Sequence, residues 1–225
     1  MDSKEMSKEE AATQADLLMD LKLLRSGFTP TPDNELSLDS YIGAYLEMNK
    51  FLGVLGPIFN MVTSEVETKV KILQEHRKSE DGDHYTTVND MLSFEQKQAH
   101  GGVPGDRRGQ PSGARTLLRL HRALEFVREF LLLIMRPREG FFGGQVSRLY
   151  GATLGKYHSW LIRTTTSTAL FTMPAHATIM QRLTKGKTEV DDSVREEMDQ
   201  VIAAMKDAYD LTHKLYQQYG YLDLP

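Results

Sequence analysis

Apolar residues recur at every third or fourth position along most of this chain, which is the spacing of amphipathic helices. The pattern predicts about eight helices and therefore an all-α fold. We place these helices within residues 16–27, 41–56, 58–78, 84–98, 114–135 and 146–171, in a short segment before Gly186, and within residues 190–218.

Glycine, proline and serine mark the ends of these segments. Gly27 is placed to stop the first helix, and Ser37 offers an N-cap to the second. Residues 101–113 hold five glycines and two prolines, which predicts a flexible loop. The threonines at 164–166 are β-branched, but one such segment without a hairpin signal does not build a sheet.

Composition narrows the class of protein. The chain has 225 residues, 27 basic and 31 acidic side chains, a formal net charge of −4 and no cysteine. The negative charge argues against general binding to nucleic acid, and the missing cysteines exclude a disulfide framework and a thiol nucleophile. The polar first residues predict no signal peptide, and no apolar run approaches a bilayer span. We expect a cytoplasmic protein with a flexible tail over residues 1–15 and a single all-helical domain over residues 16–225.

No motif in the sequence indicates an enzyme. The phosphate-binding loop, the dinucleotide fingerprint and the zinc-protease motif are absent. No serine lies in a nucleophile elbow, and the seven histidines lack the i,i+4 pairing of helical metal ligands. We therefore predict no catalytic residue, no metal and no cofactor.

One segment is strongly basic although the chain as a whole is negative. Residues 103–138 carry eight arginines, no lysine and three acids, a formal charge of +5. At 100° per residue, Arg115, Arg119 and Arg122 lie within about 60° of one another on the predicted helix. The opposite side of that helix is an ordinary apolar core stripe.

The arginine row continues into an apolar row along the same helix. Phe126, Phe130 and Leu133 point in nearly the direction of the arginines. An earlier helix has the complementary order from apolar to ionic, in Leu55, Ile58, Val62, Glu65 and Lys69. Packed antiparallel, the two helices would place a cationic end before an apolar slot. This is the outline of a lipid phosphate site, because guanidinium groups bind phosphate oxygens bidentately.

Each of these features also has a simpler interpretation. An arginine row is usually solvated surface, and a Phe-Phe-Leu row is usually core. Glu65 and Lys69 form the commonest stabilising i,i+4 pair. The chain could also be a helical protein-interaction module whose basic face docks an acidic partner. Only the combination of both helices favours the lipid.

Two segments resemble the glycolipid transfer protein superfamily. They are Arg-Thr-Leu-Leu-Arg-Leu-His-Arg-Ala-Leu at 115–124 and Tyr-His-Ser-Trp-Leu-Ile-Arg at 157–163. The resemblance extends over roughly residues 38–225. It implies a two-layer helical sandwich that carries one sphingolipid between membranes without catalysis. The headgroup is expected in a surface cleft and the chains in a collapsible apolar pocket.

The resemblance also implies a headgroup. Glycolipid-binding members have a tryptophan at the position of Arg119 and an asparagine at that of Lys69. Members that bind ceramide-1-phosphate have basic residues at both, and an arginine matching Arg115. The implied ligand is ceramide-1-phosphate, and the alternative is a carrier or sensor of another sphingolipid such as a glycolipid. His158 matches the histidine that binds the ceramide amide carbonyl, and Glu65 replaces the family's aspartate, which accepts from the ceramide N–H and hydroxyl.

Further residues complete the predicted site. The secondary basic residues are Arg107, Arg108 and Arg122. The resemblance favours Trp160 as a membrane contact, because an indole sits well at headgroup depth, although the sequence alone places it as readily in the core. Phe141 and Phe142 are a second candidate membrane contact. We expect a monomer that touches membranes reversibly and binds no nucleic acid.

Overall fold

The computed structural model describes residues 17–56, 59–187 and 189–225. Over these residues it contains nine α-helices, two short 3₁₀ segments and no β-strand, so the all-α prediction is confirmed. The helices are α1 (Leu21–Phe28), α2 (Leu38–Val54), α3 (Asn60–Lys78), α4 (Val88–Gln98), α5 (Gly113–Met135), α6 (Phe142–Ala152), α7 (Trp160–Phe171), α8 (His176–Leu183) and α9 (Asp192–Tyr219). The 3₁₀ segments are Gly82–His84 and Leu154–Tyr157. The tail predicted over residues 1–15 lies outside the described residues.

Polar side chains begin several helices by accepting from otherwise unpaired backbone N–H groups. Ser37 caps α2, Ser112 caps α5 and Asp191 caps α9, each accepting from the backbone N–H three residues further on. The prediction that Gly27 stops α1 is wrong, because the helix continues to Phe28. Gly27 instead lets α1 approach α2 closely, since an added Cβ would lie 2.6 Å from the Cβ of Ala44.

The long helical segment predicted over residues 146–171 is divided in two. Thr153 leaves helical geometry at φ −115° and ψ −99°, which ends α6, and Ser159 then caps α7. The threonine run lies inside α7. The hydroxyls of Thr164 and Thr165 donate to the carbonyls four residues back, at 2.9 and 3.0 Å, which satisfies these groups without leaving the helix.

Helix α5 lies at the centre of the packing. Helices α3, α4, α6 and α9 and the segment Leu154–Tyr157 all pack against it. Buried apolar side chains from Leu17 to Leu224 form one contiguous core around this arrangement. None of the described helices is long and apolar enough to cross a membrane.

A buried histidine on α5 makes part of this core sensitive to pH. His121 is 2% exposed, and neither ring nitrogen has a hydrogen-bond partner among the described residues. Its ring stacks on Tyr209 with centroids 4.3 Å apart, and His213 and Arg122 lie nearby. Burial, assisted by these two basic groups, lowers the pKa of His121 to about 3. The ring is therefore neutral in the folded protein at neutral pH.

We expect the His121→Phe variant to reduce the loss of stability in mild acid. Below pH 6.5 the unfolded chain binds a proton at His121 that the folded chain excludes until about pH 3, so stability falls as the pH falls through this window. At about 1.36 kcal/mol per pH unit, this group costs about 2 kcal/mol at pH 5 relative to pH 7. Urea unfolding of both proteins at the two pH values measures the difference. An equal acid-induced loss in both would contradict the assignment.

Candidate functional site

The start of α5 is fixed by a buried carboxylate from α4. Glu95 is 1% exposed, and its Oε1 accepts from the backbone N–H of Gly113 at 2.6 Å and from the Tyr85 hydroxyl at 2.8 Å. Its Oε2 accepts from the backbone N–H of Ala114 at 3.0 Å. A negative charge at a helix N-terminus also interacts favourably with the helix dipole. Glu95 therefore sets the position from which the basic residues of α5 project.

Close packing at this point requires a glycine. A Cβ on Gly113 would lie 2.6 Å from the sulfur of Met91 and 3.0 Å from the ring of Tyr85. The loop is also held two residues earlier, because the Nε2 of His76 is 2.8 Å from the carbonyl oxygen of Pro111. Helices α3, α4 and α5 are thus joined where the basic row begins.

A small cavity of about 50 Å³ opens between α3 and the start of α5. We call it the head cavity. Its lining residues are Lys69, Ile72, Pro111, Arg115, Thr116 and Arg119. The structure therefore brings together the three basic residues that the sequence selects, and it does so by the predicted packing of these two helices.

The head cavity has more positive charge than its own partners neutralise. Lys69 Nζ is 2.8 Å from Glu65 Oε2, and Arg115 Nη1 is 2.9 Å from Asp106 Oδ1. Both carboxylates are on the surface, with side chains 65% and 63% exposed. Arg119 is exposed and forms no ion pair or hydrogen bond within the described chain, and the Nε of Arg115 is buried without a partner. The cavity is therefore suited to an anion.

His158 lies in the turn before α7 and is linked through Tyr150 to Phe126, in the part of α5 that follows the arginines. Its Nδ1 is 2.6 Å from the hydroxyl of Tyr150, whose ring packs edge-on against Phe126 at 6.1 Å. Burial raises the pKa of Tyr150 and lowers that of His158, so the phenol keeps its proton and the imidazole is neutral. In the tautomer with its proton on Nε2, Nδ1 accepts from the Tyr150 hydroxyl and Nε2 is left to donate. His158 can thus donate one hydrogen bond from Nε2.

The predicted apolar slot is filled by packed rings. Phe130 is fully buried and lies 5.7 Å from Phe126, 5.9 Å from Phe51, 6.3 Å from Phe59 and 6.3 Å from Phe142. We call these five residues the aromatic cluster. Leu55 and Leu133 are buried as well, Val62 is 36% exposed, and Ile58 lies outside the described residues.

The structure places the secondary basic residues away from the head cavity lining. Arg107 and Arg108 pair with Asp81 at 2.8 and 3.4 Å, and Arg108 also pairs with Glu80. Arg122 donates to the carbonyl oxygens of Leu222 and Leu224 near the C-terminus, and its guanidinium lies 4.6 Å over the ring of Tyr157.

Most of the aromatic residues predicted to contact membranes are on the surface. Trp160 is 70% exposed at the start of α7, so the core alternative for this residue is wrong. Phe141 is 59% exposed and lies 5.8 Å from Phe171. Phe142 is only 7% exposed and belongs to the aromatic cluster, so its assignment as a membrane contact is wrong. As the first residue of α6 it points toward α5, where Phe130 lies.

Several residues of the site escape prediction from the sequence. Glu95, Phe51 and Phe59 act through partners far away in the chain, and Tyr150 acts through His158 eight residues later. The spacing of Tyr150 and His158 is a local signal, but it predicts their hydrogen bond only when the turn between α6 and α7 is already known.

Comparison with known proteins gives consistent matches. Residues 36–185 match the sequence profile of the glycolipid transfer protein (GLTP) family. The ceramide-1-phosphate transfer protein of Mus musculus is 31% identical over 200 residues, which cover 87% of this chain and 90% of that protein. The apo crystal structure of the mouse protein has a TM-score of 0.80 at 30% identity and covers 92% of this chain and 100% of that one. The human protein with 12:0 ceramide-1-phosphate has a TM-score of 0.81 at 26% identity, with coverages of 92% and 100%.

We expect Glu95→Gln to destabilise the start of α5. The amide oxygen can replace one carboxylate oxygen, but the amide NH₂ then faces the N–H of Ala114 or of Gly113 and leaves a buried donor unpaired. The free energy of unfolding should fall by about 1–3 kcal/mol, measured by urea denaturation. The control is Glu75→Gln, whose carboxylate lies 3.9 Å from Lys71 on the surface and should change stability by less than about 0.5 kcal/mol. Equal effects of the two substitutions would refute the role of Glu95.

Proposed function

Since the chain belongs to the glycolipid transfer protein family, we propose that it is a non-enzymatic carrier that binds one ceramide-1-phosphate and moves it between membranes. The observation that carries this proposal is the head cavity, where Lys69, Arg115 and the unpaired Arg119 converge. His158 and the aromatic cluster follow it along α5 in the order of a phosphate, an amide and a hydrocarbon chain. No step of this function needs a catalytic group.

The phosphate binds to Arg119, Arg115 and Lys69. Arg119 has no partner to give up. Lys69 and Arg115 each exchange an ion pair with an exposed carboxylate for an ion pair with the phosphate. Losing such surface pairs costs little, because exposed ion pairs contribute about 0–1 kcal/mol. A phosphomonoester offers more charge than a carboxylate and accepts bidentate hydrogen bonds from each guanidinium, so the exchange favours the lipid.

The ceramide amide binds between Glu65 and His158. Once Lys69 turns to the phosphate, the Glu65 carboxylate is free to accept from the ceramide N–H and hydroxyl. The Nε2 of His158 donates to the amide carbonyl, with Tyr150 fixing the tautomer through Nδ1. Burial keeps His158 neutral, so one nitrogen is committed to the tyrosine and the other to the lipid.

The hydrocarbon chains enter between the rings of the aromatic cluster. These rings belong to α2, α5 and α6 and to the residue just before α3, so separating the helices by a few ångströms creates room without unfolding any of them. Each buried CH₂ group contributes about 0.8 kcal/mol, which offsets the loss of ring contacts. The same rings fill the space when the lipid leaves.

A glycolipid is the weaker alternative for one specific reason. A neutral sugar binds best against an aromatic ring, which offers its hydrophobic face to the carbohydrate. The head cavity has no aromatic residue in its lining over the described chain, and three of its six residues are cationic. These groups favour an anionic head.

Membrane contact occurs at the start of α7 and near the start of α6. Trp160, Leu161 and Ile162 are 70%, 67% and 51% exposed in succession, and Phe141 and Phe171 form an exposed pair at the other end of α7, about 16 Å along its axis. An exposed apolar patch of this kind suits reversible insertion to headgroup depth. We propose that the protein acts in the cytoplasm as a monomer and docks on membranes only during loading and release.

We expect Arg119→Leu to weaken binding of ceramide-1-phosphate about 10- to 150-fold. The substitution removes a charge-assisted contact of about 1.5–3 kcal/mol, and because Arg119 is exposed and unpaired the fold should be unchanged. Transfer of fluorescent ceramide-1-phosphate between vesicles measures the effect, with Lys214→Leu on the exposed side of α9 as the charge-matched control. Unchanged transfer by Arg119→Leu, or faster transfer of galactosylceramide than of ceramide-1-phosphate by the natural chain, would overturn the proposal.

We expect Trp160→Ala to slow transfer several-fold while leaving ligand affinity and fold intact. The indole is the only tryptophan of the chain and is exposed, so its emission should shift to the blue when lipid vesicles are added. The matched control is Tyr157→Ala, which removes another exposed aromatic side chain but one that packs on Arg122. An emission spectrum that vesicles do not change would exclude Trp160 from the membrane contact.

A further inference from the structure

A cavity larger than the head cavity lies elsewhere among the described residues. It has a volume of about 560 Å³ and opens between the second half of α5 and the length of α6. We call it the second cleft. Its α5 wall is formed by Glu129, Leu132 and Leu133, which lie about 15–21 Å along the helix axis from Arg119, and Arg136 follows just after the end of α5. The two cavities therefore occupy different places on the same helix.

The charges of the second cleft do not neutralise one another. Its lining includes Arg136, Arg138 and Arg148. Arg136 pairs with Asp199 at 2.7 Å, but the guanidinium groups of Arg138 and Arg148 have no ion pair or hydrogen bond anywhere in the described ranges. Of the two lining acids, Glu129 is already paired with Arg128, and Glu139 is the one left unpaired. Two free guanidinium groups thus face one free carboxylate.

The loop that carries Arg138 is held in place by α6. The side-chain Nε2 of Gln145 donates to the carbonyl oxygens of Arg138 and Glu139, at 3.0 and 3.1 Å. Two acceptors on one nitrogen also fix which end of the amide points to the loop, because the opposite orientation would face oxygen against oxygen. Gln145 is 7% exposed, so this attachment is internal. Arg138 is consequently presented beside Arg148 by a fixed backbone.

The remaining lining of the second cleft is apolar. Leu132 and Leu133 of α5 face Leu149 and Ala152 of α6, and Leu132 and Leu149 are only partly buried although each packs against the core. A solvent-facing apolar floor beside unpaired guanidinium groups fits a ligand that has an anionic head and a hydrocarbon chain. A volume of about 560 Å³ is within the usual range for one small ligand.

We propose that the second cleft binds a single-chain anionic amphiphile, with its phosphate or carboxylate on Arg138 and Arg148 and its chain on the apolar floor between α5 and α6. The proposal does not rest on the proposed function, since the arginines that carry it are not in the head cavity, although Leu133 belongs both to this lining and to the predicted apolar row. A phosphate head and a carboxylate head share the same recognition by guanidinium groups, so the experiment has to distinguish them.

Calorimetric titration with lysophosphatidic acid, oleate and inorganic phosphate, each below its micelle concentration where it has one, tests the proposal. It is carried out on Arg119→Leu, which weakens competition from the head cavity. Adding Arg138→Gln and Arg148→Gln should weaken binding of at least one amphiphile tenfold or more, whereas adding Lys214→Gln should change it less than twofold. The stronger amphiphile identifies the head.

A second pair of variants tests the apolar floor. Ala152→Asp places a carboxylate in the lining, whereas Gly151→Asp places one on the neighbouring exposed residue outside it, where an added Cβ meets nothing within 4 Å. The first should weaken amphiphile binding at least tenfold and the second less than twofold, with both proteins folded by circular dichroism. The proposal is overturned if Ala152→Asp and Gly151→Asp bind the amphiphile equally.

Three outcomes of the calorimetric titration would also overturn it. Neither amphiphile binds the Arg119→Leu protein, or the added arginine substitutions leave binding unchanged, or inorganic phosphate binds as tightly as the amphiphiles.

Discussion

The buried carboxylate of Glu95 is the interaction on which the site depends. It accepts three hydrogen bonds, two of them from the first backbone N–H groups of α5, and so fixes the start of the helix that carries both the cationic and the aromatic residues. Because a helix is rigid along its length, fixing one end also sets the height of Arg119 and Phe130. The close packing of Gly113 against Met91 and Tyr85 leaves no space for a side chain at this position.

The head cavity shows how a protein with net negative charge keeps cations available. Burying an unpaired arginine is costly, so the cavity leaves Arg119 in water and gives Lys69 and Arg115 partners that are themselves exposed. Such partners reduce repulsion between the cations, and in the proposed complex they yield to the phosphate. Arg122 is not available in this way, because its guanidinium group donates to the backbone carbonyl oxygens of Leu222 and Leu224.

The sequence is sufficient for most of the helices and for the row on α5, because these depend on spacing within one segment, but it does not show the break at Thr153 that separates α6 from α7. The 3–4 periodicity places Arg115, Arg119 and Phe126 on one face, and the structure agrees. Prediction from the sequence fails where a contact joins distant segments, as between Glu95 and Gly113 or between Phe59 and Phe130. It also fails at the Phe141-Phe142 pair, since adjacent residues at a helix start point in different directions and only the packing of α6 decides which one is buried.

The aromatic cluster and the second cleft share a helix. Phe142 of α6 packs on Phe130, and α6 also forms one wall of the second cleft. Packed cores do not deform continuously, so making room for a chain in the cluster requires a helix to move as a unit. If α6 is that helix, the width of the second cleft changes with the loading of the first site. Occupancy of either cavity then changes the free energy of opening the other, and by linkage the effect is equal in both directions.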